Sequence, residues 1–312
     1  MLYRILITAL IPPESKEKIP DYFELDCFLE KRPMKYQELF NKVKHNDYDA
    51  MLCAYEDKID ESLLQVVGKR LKIIAVMSNG IENIDLKACQ NYGIKVTNVP
   101  GVTTDAIADY TLALLLMGIR RIDQSLQQSH HQITPYYLWN LQGFALSQLT
   151  IGIVGMGQIG SAIAQRLVGF EPRILYYSRK RKIKVEHQYL LKYTSFEQLL
   201  AESDAVIVCC SLNHSSKNMF KLQTFKQMKS SAIFINIARG GICNHQDLYT
   251  ALKEGLISLA LLDVTEPEPL PKTHPLVQIN NCLIFPHIAT NTQDSRIKIC
   301  NIAIKEICQV LK

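Results

Sequence analysis

The chain lacks the residue spacings that mark a metal centre or a disulfide framework. Its nine cysteines are odd in number and scattered, Cys209 and Cys210 are adjacent, and no CxxC occurs. This usage predicts no metal site and a reducing, cytoplasmic compartment. No long apolar run is present either. The longest, Leu112 to Ile119, is well short of the roughly 20 residues that cross a bilayer, so no membrane association is expected. Leu2 to Ile11 is apolar but has no small-residue cleavage site and runs into Pro12-Pro13, which reads as a first buried strand and not as a signal peptide. The net charge of +5 is spread along the chain without a dense basic block, which argues against a nucleic-acid partner. A mild positive excess still favours an anionic ligand. No internal repeat or low-complexity segment stands out.

What is present is an alternating α/β pattern. With 312 residues, 47% of them hydrophobic, the chain is long enough for two domains. Short buried strands are expected at Ile5 to Ile7, Ala50 to Cys53 and Ile73 to Val76, separated by helix-tolerant stretches such as Lys35 to Lys44. Asp105 to Ser129 reads as one long helix, apolar nearly all round in its middle and expected to be buried between two domains. His130 to Leu149 is aromatic and irregular, as in a functional or interface loop. A second series begins at Thr150, with strands at Ile151 to Val154, Ile174 to Tyr177, Ala205 to Cys209, Ala232 to Asn236, Leu259 to Asp263 and Cys282 to Phe285. A last helix is expected from Asp294 to Leu311. Such alternation predicts doubly wound parallel sheets.

The second series opens on Gly155-Met-Gly157-Gln-Ile-Gly160, a GxGxxG between an apolar strand and a helix. The motif alone is weak, since glycines are common in turns, but this context is the one a dinucleotide site requires. Gly155 permits the tight turn, Gly157 admits the pyrophosphate close to the backbone, and Gly160 packs the helix on the sheet. The next strand ends in Ser178-Arg179-Lys180-Arg181-Lys182, with no acid to bind a ribose 2′-hydroxyl. A carboxylate there would repel a 2′-phosphate, whereas Arg179 can grip one through two N–H groups. NADP is therefore expected over NAD. The bland alternative is a solvated basic turn.

Three further polar residues each follow an apolar strand: Arg239 in Asn-Ile-Ala-Arg-Gly-Gly, Glu268 in Thr-Glu-Pro-Glu-Pro-Leu, and His287 in Phe-Pro-His-Ile-Ala. Taken singly, they read as a salt bridge, a turn residue and a core histidine. At successive strand ends beyond a nucleotide motif they suit ketone reduction. His287 would hold the proton that the nascent alcohol takes up, Glu268 would raise and orient the imidazole, and Arg239 would bind a carboxylate and polarise the carbonyl.

With these segments the chain resembles the D-isomer-specific 2-hydroxyacid dehydrogenases over essentially its whole length, and within them the glyoxylate and hydroxypyruvate reductases. The most specific pieces are Phe234 to Gly240 and Leu262 to Pro271, with Pro286-His287-Ile288 and Gly101 to Ala106 in support. The resemblance implies two Rossmann-like domains, the substrate domain discontinuous over 1–101 plus 290–312 and the cofactor domain over 102–289. It implies that Arg239 orients a small 2-oxo acid, that Glu268 pairs with His287, and that His287 is the acid-base. It places the substrate carboxylate on the backbone of Asn79 and Gly80. It lines the cofactor with Thr104, Gly155, Gly157, Gln158, Ile159, Gly160, Ser178, Arg179, Lys180, Ser211, Ile237, Asp263 and Ala289. It also implies a homodimer. Trp139 reads either as closing the substrate pocket, from the partner subunit, or as a core or dimer-interface tryptophan.

The chain departs from the family pattern at Asn79, where an apolar residue is usual, at Glu82 for Asp, at Cys243 for Val, and at Ser211 and His214 for prolines. Ala289-Thr290-Asn291 replaces the usual Gly-Ser-Ala. The expected activity is NADPH-dependent reduction of glyoxylate and hydroxypyruvate. The alternatives are an NAD-dependent D-2-hydroxyacid dehydrogenase of other substrate range and a nucleotide-sensing protein like the C-terminal binding corepressors, which share the fold and can keep the same three residues.

Overall fold

The computed structural model describes residues 2–131 and 140–312. The chain forms two compact units, Met1–Thr103 with Asn291–Lys312, and Thr104–Thr290. Among the described residues no helix is long and apolar enough to cross a membrane.

The first unit holds a five-stranded parallel sheet of β1 (Tyr3–Ile7), β2 (Phe23–Cys27), β3 (Ala50–Cys53), β4 (Ile73–Val76) and β5 (Lys95–Thr97), in the order β2-β1-β3-β4-β5. Strand side chains alternate between two faces. Leu6, Met51, Cys53, Ile74 and Val76 join one core with Leu39, Leu63 and Leu64 from flanking helices. Ile5, Ile7, Leu52, Ile73 and Ala75 join the other, which the last helix, Gln293–Val310, covers with Ile299, Ala303, Ile304 and Ile307. The end of the chain thus completes the core begun at its start.

The second unit holds a seven-stranded parallel sheet of β6 (Thr150–Val154), β7 (Arg173–Tyr177), β8 (Lys192–Tyr193), β9 (Ala205–Val208), β10 (Ile233–Asn236), β11 (Leu259–Leu262) and β12 (Cys282–Ile284). Its order is β12-β11-β10-β9-β6-β7-β8, the doubly wound arrangement that reverses direction between β6 and β9. Period-two alternation again divides the core. Ile151, Ile153, Ile207, Ile235 and Leu261 face the helices Thr104–Ile119 and Gln158–Leu167. Val206, Val208, Phe234, Ala260 and Leu262 face an aromatic cluster in which Phe220 and Phe225 lie 4.8 and 5.3 Å from Phe234.

The expected doubly wound α/β architecture is the one observed. Strands β2, β5 and β8 were not expected from the sequence. All three are sheet edges, where one side meets solvent, and Phe-Glu-Leu-Asp-Cys, Lys-Val-Thr and Lys-Tyr lack the continuous apolar run of a central parallel strand. The single helix expected over Asp105 to Ser129 is two helices, Thr104–Ile119 and Ile122–His131. Arg121 adopts φ +53°, a left-handed conformation that ends the first helix. The buried face of the first helix packs on helix Gln158–Leu167 and on β10 and β11.

Candidate active site

Because the seven strands run parallel, every segment that leaves a C-terminal end emerges on the same edge of the sheet. Gly155 follows β6, Ser178 follows β7, Cys209 to Ser211 follow β9, Ile237 to Arg239 follow β10, Asp263 follows β11, and Phe285 to His287 follow β12. The switch in strand order lies in the middle of that edge.

The glycine loop is built by contact as much as by conformation. Gly155 has φ +103°, and a Cβ there would lie 2.6 Å from the Cys210 backbone nitrogen. A Cβ on Gly160 would lie 2.2 Å from the Gly155 carbonyl oxygen, so the helix can press on its own entry turn only if this residue is glycine. Gly157 differs. A Cβ there would meet no atom within 4 Å. Space has been left above it, and it caps helix Gln158–Leu167 with no side-chain hydrogen bond to the first turn. Gln158 and Ile159 begin a helix whose N–H groups and dipole suit a diphosphate. These residues fit a dinucleotide.

At the end of β7 the basic run is divided. Arg181 makes three hydrogen bonds to Glu186, at 2.9, 3.1 and 2.8 Å, and stacks on Tyr193. Glu186 also accepts from the buried Tyr176 hydroxyl at 2.5 Å, and the Lys182 N–H donates to that hydroxyl at 2.8 Å. Arg181 is thus a strut of the turn. Arg179 and Lys180 stay exposed, and the Ser178 hydroxyl donates to the Lys180 carbonyl at 2.6 Å. The charge of Arg179 reaches Cys210 across the switch point. Ser211 is exposed at the end of β9, its carbonyl accepting from the Ser216 hydroxyl at 2.7 Å.

The triad forms a compact electrostatic unit. His287 Nδ1 and Glu268 Oε1 are 2.5 Å apart. The hydrogen bond that His287 donates to Glu268 raises the imidazole pKa, burial and the Arg239 charge oppose it, and the Glu268 and Asp263 charges add to the rise. Burial alone would raise the Glu268 carboxyl, but the His287 bond and charge, the Thr265 N–H and the Arg239 charge outweigh it and hold it low. Each partner therefore favours the charged form of the other. Arg239 acts electrostatically on both partners. Its turn is fixed by the fully buried Asn236, whose amide donates to the Arg239 carbonyl at 3.0 Å and accepts from the Ala238 N–H at 3.1 Å. Gly240 lets this turn lie against the 265–266 peptide, since a Cβ there would be 2.0 Å from the Thr265 carbonyl carbon.

Asp263, 1% exposed, accepts the N–H groups of Ile288 and Ala289 at 2.9 and 3.0 Å. It anchors the chain just past His287, which itself sits at φ +52°. Ile237 is buried beneath the same edge. Thr104 begins the helix beside β10. Neither Asn236 nor Thr265 was expected at the site. They lack a signal of their own, since a buried Asn or Thr after a strand marks function only once its turn is seen.

In the first unit, Asn79 and Gly80 follow β4. The Asn79 carbonyl accepts from the Asn98 amide at 2.6 Å, the Ser78 carbonyl accepts from the Val99 N–H at 2.9 Å, and the Ser78 hydroxyl donates to the Gly80 carbonyl. The carbonyl side of the loop is thus occupied by contacts within the unit. Trp139 lies outside the described residues.

Residues 112–289 match the model of the D-isomer specific 2-hydroxyacid dehydrogenase, NAD binding domain. The chain belongs to this family of oxidoreductases. It is 37% identical to the glyoxylate reductase/hydroxypyruvate reductase of Mus musculus over 95% of this chain and 90% of the relative. It is 38% identical to the glyoxylate reductase of Pyrococcus furiosus, over 94% of this chain and 88% of the relative. Its fold matches the crystal structure of the TT0316 protein from Thermus thermophilus with a TM-score of 0.90 and 33% identity, covering 99% of this chain and 96% of that one. A D-2-hydroxyacid dehydrogenase with a nicotinamide dinucleotide site is what the strand-end residues had led us to expect.

Proposed function

We propose that this protein reduces glyoxylate and hydroxypyruvate, to glycolate and D-glycerate, with NADPH preferred over NADH. The observation that carries the reaction is the His287–Glu268 pair at 2.5 Å beside Arg239. When bound, the nicotinamide supplies hydride to the 2-oxo carbon. His287 Nδ1 is committed to Glu268, so Nε2 is the atom that gives its proton to the substrate oxygen. Glu268 keeps the ring protonated and oriented. Arg239 orients the 2-oxo acid and polarises its carbonyl. The names of the mouse and archaeal relatives support the substrate class.

The NADPH preference is supported by the turn after β7. It has no acid, Arg181 is tied to Glu186, and Arg179 and Lys180 remain exposed. The deciding experiment is kcat/KM for NADPH and NADH with glyoxylate, hydroxypyruvate and pyruvate. A preference for NADH would overturn the cofactor assignment. Tight NADPH binding with no turnover of any 2-oxo acid would favour a nucleotide sensor.

Two further properties belong to this reading. All nine cysteines are free, which supports a reducing, cytoplasmic setting. The family relationship supports a homodimer. Light scattering of the purified protein tests the dimer.

A further inference from the structure

Tyr110 lies on helix Thr104–Ile119, away from every sequence motif considered above. Its ring meets the ring of Phe285 edge to face, with centroids 6.0 Å apart. Its phenol oxygen is shut off from solvent and closes no well-formed hydrogen bond among the described residues. That oxygen faces Asp263: burial raises the phenol pKa and the Asp263 charge raises it further, so the proton stays on. A buried hydroxyl without a good acceptor is costly, which makes a settled acceptor beside it valuable.

The two groups Tyr110 addresses flank His287. The Phe285 carbonyl accepts the His287 N–H at 3.0 Å, and Asp263 holds the N–H groups of Ile288 and Ala289. The turn carrying the imidazole has positive φ, a conformation kept only where its surroundings enforce it.

We propose that Tyr110 is a positioning residue for the hydride-transfer reaction: its ring fixes Phe285 and its phenol proton engages Asp263 in the working enzyme, so that the His287 turn is held from both sides. The inference rests on His287 being the proton donor. The charged groups facing His287 are Glu268, Asp263 and Arg239. The phenol proton softens the field of Asp263 without removing its charge.

The test is Tyr110→Phe, which keeps the ring and removes the hydroxyl, beside Tyr110→Leu, which removes both. In Tyr110→Phe the Tm and the Kd for NADPH should hold. The kcat for 2-oxo acid reduction should fall roughly tenfold with little change in KM, as expected for a displaced acid. The alkaline limb of kcat should move to higher pH, because unsoftened Asp263 favours the imidazolium more strongly. Tyr110→Leu should lose more kcat. Unchanged kcat and limb in Tyr110→Phe would overturn the proposal, as would a loss confined to NADPH binding. If the wild type itself shows no alkaline limb, the proton-donor assignment fails and the role of Tyr110 falls with it. A wild-type limb that Tyr110→Phe leaves in place rejects Tyr110 alone.

Discussion

Glu268 Oε1 lies 2.5 Å from His287 Nδ1, and each residue shifts the other toward its charged form. The pair is held by elements nineteen residues apart in the chain: a turn after β11 and the positive-φ turn after β12. The contact commits one ring nitrogen to the carboxylate and favours the protonated ring.

The first prediction concerns that range. The His287 pKa is raised, so the imidazolium persists to higher pH than free histidine allows. Reduction should hold a plateau on the acid side and decline as pH rises through the raised pKa. Oxidation of the hydroxy acid should rise over the same window. Glu268→Gln removes the charge and should bring the limb down toward the ordinary imidazole value of about 6.5. His287→Ala should cut kcat by about 10²–10⁴ with NADPH affinity kept. An unmoved limb in Glu268→Gln would reject the pairing as the cause.

The second concerns the basic turn. Arg179→Ala removes one exposed cation and leaves the Arg181–Glu186 strut intact. Loss of a charge-assisted contact costs about 1.5–3 kcal/mol, so the NADPH to NADH ratio of kcat/KM should drop by roughly tenfold or more. An equal loss with both cofactors would mean that Arg179 acts on the shared phosphates.

The third separates folding from binding within the glycine loop. Gly157→Ala places its methyl in open space, so Tm should be unchanged while the Kd for the dinucleotide rises. Gly160→Ala drives its methyl into the Gly155 carbonyl, so stability should fall along with binding. Thermal unfolding with and without NADPH distinguishes the two. Undiminished binding by Gly157→Ala would place the diphosphate elsewhere.

The fourth is a stability profile. Burial, then the nearby His274, depresses the His245 pKa to about 4, below its unfolded value. A lowered histidine contributes stability above the unfolded pKa, lost as pH falls from about 6.5 to 4. Burial raises Asp57 to about 6, partly offset by the Thr8 hydroxyl and the Ala54 N–H. A raised carboxyl has the opposite sign: it is most favourable to folding at low pH, and its contribution is lost as pH rises through about 6. Asp57→Asn should therefore gain stability relative to wild type at pH 8 and not at pH 4. Denaturant melts at the two pH values provide the check, and an equal effect at both would reject the assignment.

The sequence by itself determined the α/β class, the central strands, the glycine loop and the three strand-end residues. Central parallel strands are buried on both faces and therefore spell out unbroken apolar runs, and in a parallel sheet whatever follows such a run lies on one edge. Tertiary structure decided the rest. Edge strands β2, β5 and β8 depend on a neighbour and carry no pattern of their own. The break at Arg121 is a backbone conformation inside a segment of helical composition. Arg181 and Arg179 are equivalent in sequence, and only the position of Glu186 makes one a strut and leaves the other exposed. Asp263 holds the Ile288 and Ala289 N–H groups and Tyr110 meets Phe285 across distant segments, and such contacts exist only once the sheet has brought the strand ends together.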